Sequence, residues 1–303
     1  MTQQFISELE KIVRTEQILL EEPMNRHITF RVGGPADILV QPDISQIAGV
    51  IALCKKEQMP YTVIGNGSNL LVSDRGIRGV VIELSHQASD IIIEGCKVSV
   101  QAGAMLSKVA ALAAKAGLTG MEFASGIPGT IGGGVVMNAG AYGGEMSQIV
   151  KKVIVLDEQG KEKCLSIEEM AYSYRSSIIM KCSYIVLAAE LELKEGNTEE
   201  ITTRMKELAA QRVEKQPLEY PSAGSTFKRP EGYFAGKLIM DAGLKGFTIG
   251  GAQVSEKHCG FVINKDHATA ADVDALMKHI QTKVRDRFGV TLEPEVRKLG
   301  DFA

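Results

Sequence analysis

The sequence predicts an α+β fold. Short β-branched runs and amphipathic helical stretches are mixed along the 303 residues. They never settle into the strand-helix-strand alternation that builds a doubly wound parallel sheet. At about 100 to 200 residues per domain the chain is roughly two domains long, and it contains no internal repeat.

Residues 5 to 20 place apolar and charged positions at helical spacing and predict a first helix. TFRVGGPADILVQP has strand composition interrupted by a Gly-Gly-Pro turn. Asp43-Ile44-Ser45 opens a helix that carries Ile47, Val50, Ile51 and Cys54 on one face. YTVIG, GVVIEL and IIIEGCKVSVQAG then read as three short strands, after which Ser107 is expected to cap the helix KVAALAAKAGL, ending at Gly117. IVKKVIVLDEQGKEKCLS reads as a hairpin about EQGK, and YIVLAAELEL as another strand. The polar stretch EGNTEE near residue 197 marks the expected domain boundary. Beyond it come a charged helix ending at Pro217, a short helix near Lys237 to Ala242, further strands, and a helix over 270–288. That last helix has Thr269 and Asp272 in capping-box spacing and sets Val273, Leu276, Met277, Ile280, Val284 and Phe288 along one face.

Composition narrows the function classes. A net charge of −3 provides no basic footprint for nucleic acid or an anionic membrane. The five cysteines (Cys54, Cys96, Cys164, Cys182, Cys259) are odd in number and never form a CxxC pair, which predicts reduced thiols in a cytoplasmic protein. The histidines His27, His86, His258, His267 and His279 lack metal-ligand spacing, so no metal site is expected. The stretch MTQQFISELEKIVRTEQ has no basic segment leading into an apolar one, so no export signal is expected. No apolar run approaches the ~18 residues that span a bilayer.

Two glycine-rich segments carry the binding chemistry. VIGNGSNLL, residues 63–71, places Gly65-x-Gly67 after an apolar strand, and Glu83 stands about where a dinucleotide fold keeps its ribose-binding acid. Leu70 occupies the place of the third glycine, however, and VSDRGIRG follows where a helix is required, so a Rossmann site is excluded. A turn of Gly65, Asn66, Gly67, Ser68 and Asn69 can still gather N–H groups around an anion, or it can simply be a tight strand-to-strand turn. The second segment, SGIPGTIGGGVVMNAGAYGG at 125–144, has glycine at eight of twenty positions and no charge. It lacks the lysine of a Walker loop. Gly126, Pro128, Gly129, Gly132 and Gly133 would let the backbone approach a flat or phosphorylated group, and Ile127 and Ile131 would wall it. A ligand with a phosphate middle and an aromatic end is implied, and a flavin dinucleotide fits.

The segments ITFRVGGPAD, VIGNGSNLLVSD, SGIPGTIGGGVVMNAGAYGGE, YRSS, AGSTFKRP, AGKLIMDAGLKG and LEPEVRKLG run in order from about residue 28 to 299. In that order they resemble the UDP-N-acetylenolpyruvoylglucosamine reductases, flavoenzymes of peptidoglycan precursor synthesis. The resemblance implies an FAD-binding domain of the vanillyl-alcohol oxidase type over 1–197, with two subdomains that divide near 85–100. A substrate-binding α+β domain over 198–303 would follow it. The segment leading to LEPE looks short, which resembles the compact second type of the family. The implied chemistry is reduction of noncovalent FAD by NADPH, then hydride delivery from flavin N5 to the enolpyruvyl ether of UDP-N-acetylglucosamine enolpyruvate, giving UDP-N-acetylmuramate.

By the same resemblance Ser225 is the proton donor, Arg175 the guanidinium that meets the developing carboxylate charge, and Glu295 the catalytic glutamate. Glu295 would either be protonated and donate, or orient a cation or water. Asn138 falls in the cofactor-binding segment, and Arg212 is expected to partner a flavin or substrate phosphate. Lys228 is expected to lower the cost of proton donation by Ser225 and, with Arg229, to bind substrate. Longer family members carry asparagine where Arg229 stands. Taken singly, Arg175 reads equally as a surface ion-pair partner, Ser225 as a turn residue and Glu295 as an exposed strand end. The alternative is an oxidase of a small alcohol on the same fold; a covalently flavinylated member would be expected to carry a linking histidine in the first glycine loop, and VIGNGSN has none, which favours noncovalent FAD. A non-catalytic flavin-binding homologue would be expected to have lost one of the three.

Overall fold

The computed structural model describes residues 3–302; Met1, Thr2 and Ala303 lie outside the described residues. The fold is α+β. Helix α1 covers only Gln3–Leu9, burying Phe5 and Leu9, and the chain turns into strand β1 at Ile18–Pro23. The long first helix expected over 5–20 is therefore corrected. Residues 10–17 form turns and a 3-10 turn at Thr15–Gln17, and only Ile18–Leu20 of the expected helix join a sheet, where tertiary pairing overrides helical spacing. Strand β2, Pro35–Val40, starts only at the proline, so TFRVGG is loop and not strand.

Helix α2, Ile44–Lys56, begins as expected. The Asp43 carboxylate accepts from the N–H groups of Ser45 and Gln46, and Ile47, Val50, Ile51 and Cys54 are buried. Strands β3 (Tyr61–Ile64), β4 (Leu70–Val72), β5 (Ile77–Glu83), β6 (Ile91–Glu94) and β7 (Lys97–Gln101) follow. Four strands form a sheet in the order β1-β2-β5-β3, with β3 parallel to β5 from Tyr61↔Val80 to Ile64↔Glu83. Helix α3, Leu106–Lys115, is capped at Met105 without a side-chain hydrogen bond. Ser107 thus lies inside the helix and is not its cap.

The short strand β8 (Leu118–Thr119) precedes helix α4, Ile131–Met137, and the pair β9 (Gly140–Ala141) and β10 (Gly144–Glu145) follows it. Strands β11 (Val150–Leu156) and β12 (Glu162–Ser166) form the expected hairpin, pairing from Lys152↔Ser166 to Leu156↔Glu162. Its turn is held by the Asp157 carboxylate, which accepts from the N–H groups of Gln159 (2.8 Å) and Lys161 (2.9 Å). Strand β13 (Ile185–Glu192) completes a five-stranded sheet, β12-β11-β13-β7-β6. Strand β14 (Lys194–Glu195) pairs with β8, and helix α5 spans Thr198–Lys215.

Helix α6 (Ala235–Asp241), strands β15 (Thr248–Ile249), β16 (Ala252–Val254) and β17 (Val262–Asn264), helix α7 (Ala270–Phe288) and strand β18 (Arg297–Leu299) end the chain. Thr269 caps α7 in a capping box with Asp272, and Val273, Leu276, Met277, Ile280 and Val284 are buried. Each such side chain contributes roughly 1.5–3 kcal/mol of burial.

The chain divides into two compact units. The first comprises Met1–Leu20, Ile38–Asn66 and Gly79–Gln211; the second comprises Glu21–Asp37, Gly67–Arg78 and Arg212–Ala303. The second unit takes in an early segment because β4 pairs in parallel with β18, Leu70↔Arg297 to Val72↔Leu299. Among the described residues, no helix is long and apolar enough to cross a membrane.

Two measurements check this description. Thr269→Ala should lower the free energy of unfolding by about 1 kcal/mol, whereas Ser107→Ala should change it by no more than about 0.5 kcal/mol. The pair is compared by urea midpoints at unchanged slope. His258 supplies a pH dependence. Burial pushes its imidazole pKa below the ordinary value, against a backbone hydrogen bond that raises it. The folded state therefore favours neutral histidine, so this stability is complete above about pH 6.5. It is lost as pH falls through the lower folded value, and His258→Gln should flatten that part of the midpoint curve.

Candidate active site

In the first unit the site is built around α4. Three of its seven residues are glycine, against intrinsic propensity, and close approach explains them. A Cβ on Gly132 would stand 3.0 Å from the Ala102 Cβ, and one on Gly134 would stand 3.2 Å from Leu106. The Ile131 N–H donates to Ala104 O (2.8 Å), the Gly132 N–H to Ala102 O (2.8 Å) and the Gly134 N–H to Thr130 O (2.8 Å). The Gly133 N–H donates to the capping Thr130 Oγ1 (3.4 Å). These four amides are engaged within the protein, so they are not free to meet a flat or phosphorylated group. Ile131 is 0% exposed and fills the core, so it forms no wall of a cleft. Gly133 alone of these residues is exposed and leaves bare backbone at the surface.

The loop before α4 carries Gly126, Ile127, Pro128 and Gly129, with Pro128 exposed and the others half-buried. Asn66 Nδ2 donates to Pro128 O at 2.6 Å, and a Cβ on Gly65 would lie 2.2 Å from Thr130 Oγ1. The two glycine segments read from sequence therefore meet at residues 65–66 and 128–130.

Beyond α4, Asn138 takes the left-handed conformation (φ 44°) and caps the helix. Its amide reaches the turn that carries Arg175, donating from Nδ2 to Ser173 O (3.2 Å). Ser173 and Ser176 exchange backbone hydrogen bonds of 3.1 Å across that turn, and Arg175 has φ 54°. The guanidinium donates from Nη2 to Gly140 O (2.9 Å) and lies 5.1 Å from the Tyr174 ring centroid.

The second unit brings together Asn69, Ser225 and Glu295. Gly224 adopts φ 74°, a conformation that suits glycine, in the bend ahead of Ser225. The Glu295 N–H donates to Thr226 O (2.9 Å) and the Lys228 N–H to Glu293 O (2.8 Å), which sets AGSTFK beside LEPE. Asn69 Nδ2 then donates to Glu295 O (3.0 Å), and the Arg297 N–H to Asn69 O (2.9 Å). Thr226 is anchored inward, its hydroxyl accepting from the Val262 N–H (2.9 Å). Ser225 is exposed and Glu295 half-buried.

Two other expected substrate residues have protein partners. Lys228 Nζ is 2.5 Å from Glu293 Oε1, so a carboxylate already shares its charge. Arg229 stands 4.0 Å over the Phe234 ring, and its Nε donates to Tyr233 O (3.4 Å). Arg212 occupies the last turn of α5 and is half-buried. Sequence reasoning missed Thr130 and Ser177, whose hydroxyls fix backbone next to the site. A threonine immediately ahead of an apolar-glycine run was the available signal for the first.

The chain is similar to proteins of known family. Residues 36–166 match the FAD binding domain, and residues 216–299 match the C-terminal domain of UDP-N-acetylenolpyruvoylglucosamine reductase. A UDP-N-acetylenolpyruvoylglucosamine reductase of Agathobacter rectalis is 53% identical and covers 100% of both chains. The chain belongs to the UDP-N-acetylenolpyruvoylglucosamine reductase family. A family member from Clostridioides difficile is 55% identical over 96% of each chain. The crystal structure of the Thermus caldophilus reductase is 36% identical and matches with a TM-score of 0.80 over 93% of this chain and 98% of that one. Phl p 4, a grass pollen allergen with glucose dehydrogenase activity, is 17% identical, with a TM-score of 0.50 over 64% of this chain and 44% of its own, and shows the fold alone. The FAD-binding fold of the vanillyl-alcohol oxidase type is thus the one the reductase family and this chain share.

The residues present fit a flavin dinucleotide on one structural ground. Among the described residues, the backbone N–H groups of Asn66, Gly67 and Ser68 have no protein acceptor. Gly67 (φ 60°) is pressed against backbone, since a Cβ there would meet His27 O at 2.3 Å. Gly67→Ala should therefore cost more than the roughly 1–2 kcal/mol of left-handed strain alone. Gly95→Ala, at φ 57° with nothing within 4 Å, should cost only the strain; comparison of the two urea midpoints separates the contributions.

Proposed function

We propose that the chain is an FAD-dependent reductase that converts UDP-N-acetylglucosamine enolpyruvate to UDP-N-acetylmuramate at the expense of NADPH, in the cytoplasm. The observation that carries this reading is the backbone pairing of AGSTFK with LEPE, which brings the segment of the exposed Ser225 alongside that of Glu295, in a chain that matches the reductases over its full length. Residues 1–197 form the flavin domain, and 198–303 the substrate domain. Gly65, Asn66, Gly67, Ser68 and Asn69, the segment Gly126–Gly129 and the bare surface at Gly133 would hold the cofactor. Arg212 is the cation for a phosphate.

When bound, FAD would supply the redox chemistry, the two-electron transfer from NADPH to the enolpyruvyl double bond. The chain's residues manage the charge and the proton. Negative charge runs into the enolpyruvyl carboxylate, and the Arg175 guanidinium, already aimed by the Gly140 carbonyl, binds it. Ser225 Oγ gives a proton to the second carbon of the enolpyruvyl group. A serine hydroxyl is a weak acid, so the step requires a group that stabilises the alkoxide or returns a proton to it. Glu295, on the paired LEPE segment, takes the second role. Lys228 and Arg229 serve the diphosphate.

Ser225→Ala should lower substrate-dependent NADPH oxidation by about 10²-fold or more and leave bleaching of the flavin by NADPH intact. Normal turnover by that variant would remove Ser225 from the proton-donor role.

A further inference from the structure

We infer that Asn138 is a positioning residue that sets Arg175 for the reaction. The inference rests on the reading of Arg175 given above. Asn138 is 1% exposed and stands at the C-terminal cap of α4 with φ 44°. Glycine adopts that conformation most easily and is the usual residue at a left-handed helix cap, so an asparagine here calls for a use of the side chain. Both ends of the amide have one. Nδ2 donates to Ser173 O at 3.2 Å, and Oδ1 accepts from the Ser147 N–H at 2.9 Å. With both ends engaged in protein bonds, the buried amide serves the chain and not a cofactor.

The bond to Ser173 decides what it serves. Ser173 opens the four-residue turn whose third residue is Arg175, itself in a left-handed conformation at φ 54°. Arginine takes that conformation at a cost and keeps it only where the surroundings over-determine it. Two bonds from the turn to α4 do so. The Asn138 amide holds the entry side, and Ser177, 0% exposed, holds the exit side by donating its hydroxyl to Val136 O at 2.8 Å. The guanidinium then finds Gly140 O at 2.9 Å, two residues past Asn138. The end of α4 thus sets both the backbone and the head of Arg175, and Asn138 is the side chain common to the helix cap, the Ser147 turn and the Arg175 turn.

The test uses Asn138→Gly, which keeps the left-handed cap and removes both amide bonds. The measured quantity is the rate at which UDP-N-acetylglucosamine enolpyruvate reoxidises the NADPH-reduced holoprotein, with bound flavin per chain as a second readout. Asn138→Gly should slow reoxidation about ten- to a hundredfold, the order expected when a reacting group is misplaced by about an ångström. On an Arg175→Ala background the same substitution should slow it no further, because Asn138 acts only through Arg175. An equal further loss in that background, or loss of flavin from Asn138→Gly, would overturn the inference alone. An Arg175→Ala protein that reoxidises at the wild-type rate would overturn the reading of Arg175 and the inference with it. Should Asn138→Gly fail to fold, Ser177→Ala, which removes the other bond to α4, carries the same comparison.

Discussion

The seating of α4 on the end of β7 is the constraint on which the first unit's site depends. Gly132 and Gly134 give up side chains so that the helix can lie against Ala102 and Leu106, and its first amides pair with Ala102 and Ala104 carbonyls. Both ends of the helix then become attachment points. Thr130, at its start, crowds Gly65 and brings Asn66 to Pro128; Asn138, at its end, takes hold of the turn that carries Arg175. Glycine, which loses helix stability through backbone entropy, is tolerated in α4 because each close approach recovers packing that a side chain would block.

The second unit reaches similar order by other means. Ser225 and Glu295 lie on short segments joined by backbone hydrogen bonds, with Asn69 bridging from the strand-to-strand turn. Ser225 is left in solvent while its neighbour Thr226 is anchored in the interior. Phe227, next in the chain, is buried as well, so the two residues that follow Ser225 anchor a segment that leaves Ser225 itself exposed.

Local signals were legible in the sequence and long-range ones were not. Asp43 and Thr269 were readable as caps because a cap involves only residues within a turn of one another. Ser107 misled because the helix starts earlier, at Leu106, and its end is closed by the backbone: the Leu106 N–H donates to Gly129 O (3.0 Å). Strand β4 is three residues long and is stabilised by a partner more than 200 positions away, so nothing near it announces a strand. Helix α4 was hidden by its glycines. Ser225, Arg175 and Glu295 were visible through motif resemblance, but the left-handed turn under Arg175 and its bonds to α4 arise only from the fold.

Reduction of an enolpyruvyl ether requires a flavin that accepts electrons from NADPH and gives them up to that substrate. Anaerobic spectroscopy of the purified holoprotein tests this most directly. NADPH should bleach the flavin, and UDP-N-acetylglucosamine enolpyruvate, added without oxygen, should restore the oxidised spectrum with formation of UDP-N-acetylmuramate. A flavin that NADPH bleaches but that only oxygen restores would contradict the account.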